Sequence, residues 1–587
     1  MIRLTELKLP LDHSPETLSA LVHTTLGVAP ADVANWHIFK RSYDARKAAL
    51  LVVYIVDLAL TSAAAELSAL QRHAGNQHVF ATPDMAFNFV THAPANLPLR
   101  PVVVGFGPCG IFAALLLAQM GFKPIVLERG KNVRERTKDT WGLWRKNQLN
   151  PESNVQFGEG GAGTFSDGKL WSQIKDPRYL GRKVMQEFVN AGAPEDILIE
   201  SHPHIGTFKL VKVVENMREQ IIALGGEIRF EQRVTDVQLE TKAGGNNGRT
   251  RQMRALTVLD VATDTPYELR ADHVVMALGH SARDTFAMLH QRGVFMEAKP
   301  FSIGFRIEHP QGLIDRARWG RHAGHPLLGA AEYKLVHHVE TGLGAGRSVY
   351  SFCMCPGGTV VAATSEVGRV VTNGMSQYSR NERNANAGIV VGIDPRDYPT
   401  EPAAFAAAFA PAFDGALGAT VNPSAGPGAP CHPLAGIVLQ RQLESSAYVL
   451  GGSTYEAPGQ LLGDFLADRA STALGSVVPS YKPGVKLGNL GSALPAYAIA
   501  AIRDAIPQFA KKIKGFDMPD AVLTGVETRT SSPLRITRGE DFQSLNVAGL
   551  YPAGEGASYA GGILSAGVDG IRVAEALAKA LTKALTQ

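Results

Sequence analysis

Three glycines and one glutamate stand at the spacing of a dinucleotide-binding site. Gly105, Gly107 and Gly110 form G-x-G-x-x-G directly after the apolar residues 102–104, and Glu128 follows 18 residues later. In such a unit the glycines permit a tight turn, a close approach of pyrophosphate to the backbone, and close packing of helix on strand. The carboxylate accepts hydrogen bonds from ribose hydroxyls. We therefore predict a site for an adenine dinucleotide with a free 2′-hydroxyl.

The strands and the helix around this motif are stronger evidence for a dinucleotide site than the motif itself. Glycine makes up 60 of the 587 residues, so three fixed glycines recur easily by chance. Here an apolar strand precedes the motif, an uninterrupted apolar helix runs to Gly121, and a second strand over 125–127 leads into the acid. The free N–H groups at the helix N-terminus would face the phosphates. The alternative is a glycine-rich turn that binds no ligand.

A second strand-glycine-acid unit lies at the far end of the chain. Gly554 and Glu555 follow the apolar residues 547–553, and a glycine-rich turn and a helix come next. An NAD-binding domain keeps its fingerprint, acid and remaining strands in one continuous segment. The wide separation of the two units therefore indicates FAD. Glu555 would hold the ribityl hydroxyls, and the alternative is a plain turn at a strand end.

Other residue groups could carry the reaction. Arg529 lies in a Thr/Ser-rich segment shortly before the second unit, and with Arg306 and Lys299 it offers cations to an anionic substrate. A salt-bridged structural role is the alternative for each of the three. His432 precedes Pro433 and is a candidate acid/base group, with a structural histidine as the alternative.

Cys353, Met354 and Cys355 form C-x-C. On a regular strand the two thiols would share one face, so a disulfide between them would be strained. As metal ligands they lack a second dithiolate, because Cys109 and Cys431 are isolated in the sequence. Packing of small apolar side chains beside the cofactor is the alternative that we favour.

Composition limits the class of protein. The net charge of +4 is too small to argue for nucleic acid or an anionic membrane surface. Four cysteines in this length form no disulfide framework, which indicates a reducing compartment. The N-terminal residues do not resemble a signal peptide, and the longest apolar run, 48–56, is too short to span a membrane. We therefore predict a cytoplasmic protein.

The element pattern predicts an α/β fold with a Rossmann-like FAD-binding domain, an inserted β-rich substrate domain and a small N-terminal α+β module. A strand pair around the turn at Gly244–Gly248 and a buried strand ending at Gly279 belong to the FAD-binding domain. The predicted boundaries are a βαββ module over 1–92, a linker over 93–98, the first part of the FAD-binding domain over 99–285, a substrate or cap domain over 286–520, and a closing FAD-binding segment over 521–587.

At this point the chain resembles a known family. VQFGEGGAGTFSDGKL (155–170), KPFSIGFRIEHP (299–310), YSFCMCPGG (350–358) and GLYPAGEGASYAGGI (549–563) resemble segments of the bacterial uncharacterised FAD-dependent dehydrogenases. These are similar to the glutathione-reductase-type FAD fold with a single dinucleotide-binding domain. The resemblance implies that Val234 contacts the adenine through its main chain, and that the turn at 160–163 lies along the flavin. It implies an FAD-dependent oxidoreductase.

The motif and the resemblance together give the predicted site. The predicted cofactor-binding residues are Gly105, Phe106, Gly107, Pro108, Cys109, Gly110, Glu128, Arg129, Gly161, Ala162, Ser166, Lys169, Val234, Ala277, Gly279, His280, Gly554, Glu555, Gly562 and Ile563. The predicted catalytic residues are Arg529, Lys169 and His432, and no metal ligand is predicted.

We expect hydride transfer between flavin N5 and a small-molecule substrate, with no nucleic acid and no membrane span. No second fingerprint and no C-x-x-x-x-C is present, so we expect no separate NAD(P) site. NAD(P)H can still act as a transient electron donor by stacking on the flavin, and a quinone, a ferredoxin or the substrate itself are the alternative sources of electrons. Two alternatives stay open. One is an FAD-containing, tRNA-modifying or RNA-binding protein, with the N-terminal module and its basic residues Lys40, Arg41, Arg46 and Lys47 on the RNA. The other is a flavin-based redox sensor without turnover.

Overall fold

A four-stranded antiparallel sheet with two helices forms the N-terminal module. The computed structural model describes residues 1–46, 49–241, 249–409 and 431–586, with side chains described to Lys583. The sheet order is β2-β3-β1-β4, so a second helix and a fourth strand extend the predicted βαββ pattern. The module has its own apolar core, which Leu328 from a later part of the chain also joins. The elements are β1 (Ile2–Pro10), α1 (Pro15–Leu26), β2 (Val33–Asp44), β3 (Leu51–Leu60), α2 (Ala63–Arg72) and β4 (Val79–Ala81).

A five-stranded parallel sheet follows, and its strands are short and almost entirely buried. Parallel sheets are covered on both faces, which explains their unbroken apolar sequences. The elements of this part are β5 (Val102–Val104), α3 (Pro108–Gln119), β6 (Ile125–Leu127), α4 (Val133–Lys146), α5 (Leu180–Asn190), α6 (Thr207–Ala223), β7 (Glu227–Arg229), β8 (Gln232–Thr241), β9 (Arg251–Asp260), β10 (Thr265–Arg270), β11 (Val274–Met276) and α7 (Arg283–Gln291).

A large, mostly antiparallel sheet of seven strands forms the third part. Its order is β14-β15-β18-β13-β21-β19-β20. The elements are β12 (Met296–Ala298), β13 (Phe301–Pro310), α8 (Gln311–Trp319), β14 (Val336–His338), β15 (Ser348–Cys355), β16 (Gly358–Ala362), β17 (Thr372–Ser376), β18 (Asn384–Ile393), α9 (Pro402–Phe409), α10 (Ala435–Leu450), β19 (Ala457–Leu461), α11 (Leu462–Leu466), β20 (Val485–Leu487), α12 (Ala496–Lys512) and β21 (Val522–Glu527).

The chain then returns to the parallel sheet. The closing elements are β22 (Leu534–Ile536), β23 (Val547–Ala548), β24 (Leu550–Pro552) and α13 (Ile563–Thr586). Strand β24 pairs with β11, which completes the sheet in the order β24-β11-β5-β6-β7. The return of the chain to this sheet after a long insertion confirms the predicted fold class.

Helix α3 lies at the centre of this part of the molecule. Every residue from Cys109 to Ala118 is buried, and a helix that is apolar on all sides needs partners on all sides. Helices α6 and α13 and the parallel sheet share one apolar core with it. This packing fixes the N-terminus of α3 at the carboxyl end of β5, where a dinucleotide would lie.

Three details differ from the sequence-based boundaries. Strand β21 lies inside the seven-stranded sheet, so that sheet continues to Glu527, past the predicted boundary at residue 520. Residues 93–98 lie against the core as well as linking two parts, because Ala93 donates a hydrogen bond to the Met120 carbonyl and Leu97 packs on the same core as α3. The turn predicted at Gly244–Gly248 falls outside the described residues, although β8 and β9 on either side pair antiparallel.

Candidate functional site

The fingerprint turn has little room for side chains. Gly105 has a φ of 97°, and a Cβ there would lie 2.5 Å from the Ala277 carbonyl oxygen. A Cβ on Gly110 would lie 1.9 Å from the Gly105 carbonyl oxygen. Strand, turn and helix can pack this closely only with glycine at both positions.

Gly107 is different from the other two fingerprint glycines. It is the N-cap of α3 and has an ordinary φ of −79°. A Cβ there would meet its nearest neighbour, the Gly161 Cα, at 3.6 Å, an ordinary contact distance. The protein alone therefore does not require glycine here, whereas a ligand at the helix N-terminus would. No side chain caps α3, so its first N–H groups are available to a phosphate.

A second glycine turn lies against the fingerprint. Gly161 has a φ of 58°, and a Cβ there would lie 2.8 Å from the Gly107 Cα. The Ser166 hydroxyl donates to the Gly163 carbonyl at 2.6 Å, which closes the turn. Two backbones thus meet without side chains between them, and both face the same cavity.

The Glu128 carboxylate is held by the backbone. Oε2 accepts a hydrogen bond from the Phe106 N–H at 2.8 Å, and Oε1 accepts from Gly130 and Gly158, both at 2.9 Å. The side chain is 5% exposed and lines the cavity. The carboxylate is therefore oriented before any ligand arrives, and its remaining lone pairs can accept ribose hydroxyls.

Most of the predicted cofactor residues surround one cavity of about 1370 Å³. This volume exceeds the range of about 300–1,000 Å³ usual for a single-ligand pocket, so a dinucleotide and a second molecule can share it. The lining includes Gly105, Phe106, Gly107, Pro108, Cys109, Glu128, Arg129, Gly161, Ala162, Ser166, Lys169, Val234, Ala277, Gly279, His280, Glu555, Gly562 and Ile563.

Gly110 and Gly554 are the predicted cofactor residues outside this lining. Gly110 packs against the fingerprint backbone, as described above. A Cβ on Gly554 would lie 2.9 Å from the Cys109 Cβ, so this glycine lets the closing turn approach α3. The structure therefore places these two beneath the site, where they act through packing.

Glu555 lies in the cavity wall near Lys299. Burial raises the pKa of this carboxyl to about 7, while the charge of Lys299 acts in the opposite direction. A carboxyl with a pKa near neutrality can donate as well as accept a hydrogen bond. The Glu555 carboxyl is therefore suited to bind the ribityl hydroxyls, as the sequence predicts.

Arg529 lines the cavity, but its guanidinium is occupied by protein partners. Nε and Nη2 donate to both oxygens of Glu444 at 3.1 and 2.9 Å, and Nη1 donates to the hydroxyls of Ser281 and Ser365. The predicted grip on a substrate anion needs this fork to be free, and the structure instead shows the salt-bridged alternative. Arg306 is likewise paired, with Glu527. We therefore do not retain Arg529 as a substrate anchor.

His432 lies outside the cavity lining. Its ring packs 4.7 Å from His290 and 5.0 Å from Phe405, centroid to centroid. Burial lowers the pKa of His432 to about 4, and the neighbouring His290 adds to this. These contacts match the structural alternative, so the acid/base role predicted from the sequence finds no reactant position here.

Lys169 is the predicted catalytic residue that lies at the open end of the cavity. Its Nζ donates to the Met354 carbonyl and lies 3.5 Å from a Glu332 oxygen. Four further lining residues are connected to it by successive contacts that begin at Glu332, and we call the set the mouth cluster. The mouth cluster consists of Lys169, Trp171, His202, Glu332 and Lys334.

Contacts within the mouth cluster are direct. The Trp171 and His202 rings lie 5.5 Å apart, the Lys334 Nζ lies 5.3 Å from the Trp171 ring, and His202 pairs with Glu332. Burial raises the pKa of Glu332, but the His202 hydrogen bond and the Lys169 charge outweigh it and hold the pKa well below its usual range. Sequence reasoning missed all of these residues except Lys169, because no motif or spacing connects positions 169–171, 202 and 332–334.

The basic residues of the N-terminal module are partly neutralised. Arg41 pairs with Glu200, and Arg46 donates to both oxygens of Asp44 at 2.8 and 2.7 Å. Lys40 is exposed, and Lys47 lies outside the described residues. Ala45 lines the cavity, so this edge of the module stands beside its opening.

Among the described residues, no group of three or more His, Cys, Asp or Glu side chains could hold a metal ion. No helix in the described part of the chain is both long enough and apolar enough to cross a membrane. All four cysteines are described, and each is a free thiol.

Comparison with known proteins gives both family and relatives. Residues 300–417 and 410–530 match the family described as "FAD-dependent protein, C-terminal domain-like", and residues 1–59 match a domain of unknown function. An "Uncharacterized protein" of Clostridium beijerinckii is 43% identical over 575 residues, which is 98% of each chain.

Solved structures give more distant similarities. A glycerol-3-phosphate dehydrogenase from Bacillus halodurans complexed with FAD is 12% identical, with a TM-score of 0.31 over 83% of this chain and 65% of its own. A quinol fumarate reductase variant from E. coli is 12% identical, with a TM-score of 0.34 over 83% and 70%. A geranylgeranyl bacteriochlorophyll reductase-like protein from Thermoplasma acidophilum is 11% identical, with a TM-score of 0.32 over 83% and 79%.

Proposed function

The chain belongs to the bacterial FAD-dependent dehydrogenase family that its sequence resembles, and from this premise we propose that it transfers hydride between flavin N5 and an anionic small molecule. It is an FAD-dependent oxidoreductase. When bound, FAD supplies the hydride chemistry at N5. The residues described above would hold it, with Glu128 toward the adenosine ribose and Glu555 toward the ribityl chain.

The observation that carries the proposal is the lining of the cavity. The fingerprint, Glu128 and the second glycine turn line it together with the mouth cluster. Glu128 is buried, whereas Trp171, His202 and Lys334 are exposed, so we take the mouth cluster as the open end. A cofactor with its adenosine at the buried end would therefore present its reactive ring toward the open end. A substrate can enter there without displacing the cofactor.

Charge at the opening supports an anionic substrate. Lys169 and Lys334 belong to the mouth cluster, and Arg318 and Lys512 also line this cavity. Glu332 and Asp167 oppose them, but Glu332 is paired with His202 and Lys169, and Asp167 is paired with Arg380. A cleft with excess positive charge raises the local concentration of anions and their rate of entry. Lys334, which is exposed, would contact the substrate anion, whereas the Lys169 ammonium is already bound by the Met354 carbonyl and lies beside Glu332.

The chain's own residues would also control water. Trp171 is 46% exposed beside the opening, where its flat indole can cover a bound substrate. Expulsion of water strengthens each electrostatic contact inside the site.

NAD(P)H is a proposed electron donor. It would have to stack directly on the flavin, because the sequence holds one fingerprint. A cytoplasmic location also stays a prediction, and four free thiols are compatible with it.

The test is reduction of the bound flavin. We expect a yellow protein that releases FAD on denaturation and is bleached anaerobically by NADH, NADPH or an organic acid from a panel of matched acids and amides.

Lys334→Glu should slow bleaching by charged donors about tenfold, and added sulfate should slow the wild type. Lys579→Glu on the exposed side of α13 changes the net charge equally and should have no effect. Equal slowing in both variants, or an amide as effective as its acid, would contradict an anionic substrate.

The other two function classes receive less support. An RNA-binding role relies on the basic residues of the N-terminal module, two of which are paired with carboxylates. We expect no retardation of total tRNA in a gel assay at physiological salt. A redox sensor without turnover would hold a flavin that resists nicotinamide cofactors and every member of the acid panel.

A further inference from the structure

The C-x-C segment lies on a bulge of strand β15. Phe352 pairs with Gly388 and Cys355 pairs with Asn386, so β15 contains one residue more than β18 between these pairs. Cys353 has a φ of 42°, in the left-handed region that non-glycine residues rarely adopt. A regular strand, on which a disulfide would be strained, is therefore not what the structure has here. Bulges beside active sites re-aim a side chain.

Two cations hold this unusual backbone in place. Arg306 is fully buried and donates from Nη1 to the Cys353 carbonyl at 2.8 Å. Lys169 donates from Nζ to the carbonyl of Met354. Strained backbone persists only where surrounding contacts over-determine it, and such strain gathers at functional sites.

The two thiols differ in access. Cys353 is half-buried and lines the cavity, whereas Cys355 is fully buried behind it and does not. The Cys355 Sγ donates to the Cys353 carbonyl at 3.4 Å. One accessible thiol backed by one buried thiol is the arrangement found in disulfide oxidoreductases.

Electrostatics separates the two thiols further. The Cys355 side chain lowers the pKa of Cys353, burial and Asp167 act in the opposite direction, and Arg306 and Lys169 add to the lowering. The Cys353 side chain and burial raise the pKa of Cys355 well above its usual range. Cys353 is therefore the more acidic of the two thiols, and Cys355 is the one that keeps its proton.

Cys353 lines the same cavity as Glu555, which lies in the turn predicted to close over the flavin. The charge of Cys353 also contributes to the raised pKa of Glu555. The other charged groups that act on the thiols are Arg306, Lys169, Arg380, Asp167 and Glu527.

We propose that Cys353 and Cys355 are a redox-active dithiol that exchanges two electrons with the bound FAD. The proposal depends on FAD binding, and it does not depend on the identity of the hydride donor or substrate. It gives the enzyme a second two-electron store next to the flavin, at the wall that the substrate also faces.

The step balances within the holoenzyme. The Cys353 thiolate and the Cys355 thiol lose two electrons, the S–H bond of Cys355 breaks, and an S–S bond forms. Oxidised FAD gains the two electrons and the single proton released by Cys355. In the reverse direction, reduced FAD returns both, and the disulfide opens to thiolate and thiol. No further oxidant or reductant is needed.

The first test counts thiols and electrons in the holoenzyme. After treatment with diamide and desalting, denatured protein should show about two free thiols of the four present. The peptide that contains both residues should be lighter by two hydrogens. Anaerobic dithionite titration of this oxidised holoenzyme should consume about four electrons per FAD, against about two for flavin alone.

Variants separate the dithiol from other thiols. Cys353→Ser and Cys355→Ser holoenzymes, treated alike, should keep their FAD and consume about two electrons per FAD. Cys431→Ser is the control, since Cys431 is half-buried outside the cavity lining, and it should still consume about four. The peptide mass in the wild type requires no variant, so the test survives if a substitution prevents folding.

Opposite outcomes have different meanings. A wild-type peptide that keeps both thiols after diamide, with uptake of about two electrons per FAD, overturns the dithiol proposal and leaves the proposed function intact. Failure of every acid and nicotinamide to bleach the flavin, with four-electron dithionite uptake retained, overturns the proposed function and leaves the dithiol intact.

Discussion

The Glu128 carboxylate is bound by its own backbone as well as being the expected ligand of a ribose. Glu128→Ala would leave the Phe106, Gly130 and Gly158 N–H groups without their acceptor. An unsatisfied buried donor costs about 1–3 kcal/mol, so we expect both weaker FAD binding and a less stable apoprotein. Glu128→Gln keeps one acceptor oxygen and should show a smaller loss of both. Flavin release in urea and apoprotein unfolding measure the two effects. A variant that loses FAD with unchanged apoprotein stability would show that the backbone contacts are unimportant.

Arg529 belongs to a buried ion network. Arg283 also donates to both oxygens of Glu444, at 2.9 and 2.6 Å, so one carboxylate serves two guanidinium groups. Arg529→Lys loses the fork, and Arg529→Ala leaves Glu444 with Arg283 alone and takes the donor away from the Ser281 and Ser365 hydroxyls, a loss of buried hydrogen bonds that costs about 1–3 kcal/mol. We expect Arg529→Ala to lower thermal stability strongly and Arg529→Lys to lower it less. Folded Arg529→Lys enzyme should reduce its flavin at the wild-type rate. A slowed rate at unchanged stability would restore the substrate-anchor role.

His309 gives a pH dependence with a definite sign. It is fully buried, and its Nε2 donates to the Phe516 carbonyl at 2.7 Å. Burial lowers the pKa of His309 from 6.5 to about 4. Between these two values, the His309 imidazole binds a proton in the unfolded chain but not in the folded protein. Stability is then lost at about 1.4 kcal/mol per pH unit as the pH falls. In His309→Gln, the drop in unfolding free energy between pH 7.5 and 5 should be about 2 kcal/mol smaller than in the wild type. An unchanged drop would show that His309 does not titrate as stated.

Sequence reasoning works at the residue scale where chemistry and spacing coincide. Glu128 was predictable because an acid at the end of the second strand follows from the fold of a dinucleotide-binding unit. The pairing of Arg529 with Glu444 was not, because the two lie 85 positions apart and nothing in either segment points to the other. Arginine in a Thr/Ser-rich segment looks the same whether its partner is a substrate or a buried carboxylate.

At the scale of elements, two glycines of the turn between β5 and α3 have different roles, one in packing and the other in ligand binding. Gly110→Ala would place a Cβ 1.9 Å from a backbone oxygen, so we expect little folded protein. Gly107→Ala meets its nearest atom at 3.6 Å, so it should give folded apoprotein with FAD affinity reduced about tenfold or more. Soluble yield and FAD titration of the refolded proteins measure this contrast. Normal FAD affinity in Gly107→Ala would show that no phosphate approaches that position.

Element positions were more predictable than their irregularities. The apolar runs of β5, β6 and β11 and the apolar helix α3 give a parallel sheet covered by helices. The bulge in β15 left no such signal, since Cys353, Met354 and Cys355 are compatible with a regular strand. Its conformation depends on Arg306 and Lys169, which come from distant segments and bind the strand through its carbonyl groups.

At the scale of the whole molecule, the parallel sheet and the seven-stranded sheet come from interleaved segments of chain, and the cavity is lined by both. The N-terminal module has its own apolar core, which Leu328 also joins, and it pairs with the rest of the chain through the edge of β2. The Arg41 N–H donates to the Ile199 carbonyl at 2.8 Å, and the Ser201 N–H donates to the Arg41 carbonyl at 3.0 Å. The sequence predicts an N-terminal module but no docking surface, since backbone contacts at a strand edge leave no composition signal.

This docking gives a prediction for truncated chains. Residues 83–100 should be kept, because Phe87, Val90 and Leu97 pack on the core that contains α3, and cutting at residue 92 would expose that core. Removal of residues 1–82 takes away most of the module's core and, with Ala45, one residue of the cavity lining. We expect the shorter chain to retain FAD, because Glu128 and both glycine turns remain. Its flavin fluorescence should be quenched more strongly by iodide than that of the full chain, since the opening is wider.

The cut at residue 92 serves as the matched comparison and should give less soluble protein. Loss of FAD from a folded chain that begins at residue 83 would show that the module contributes to the cofactor site itself, and unchanged quenching would show that it does not cover the opening.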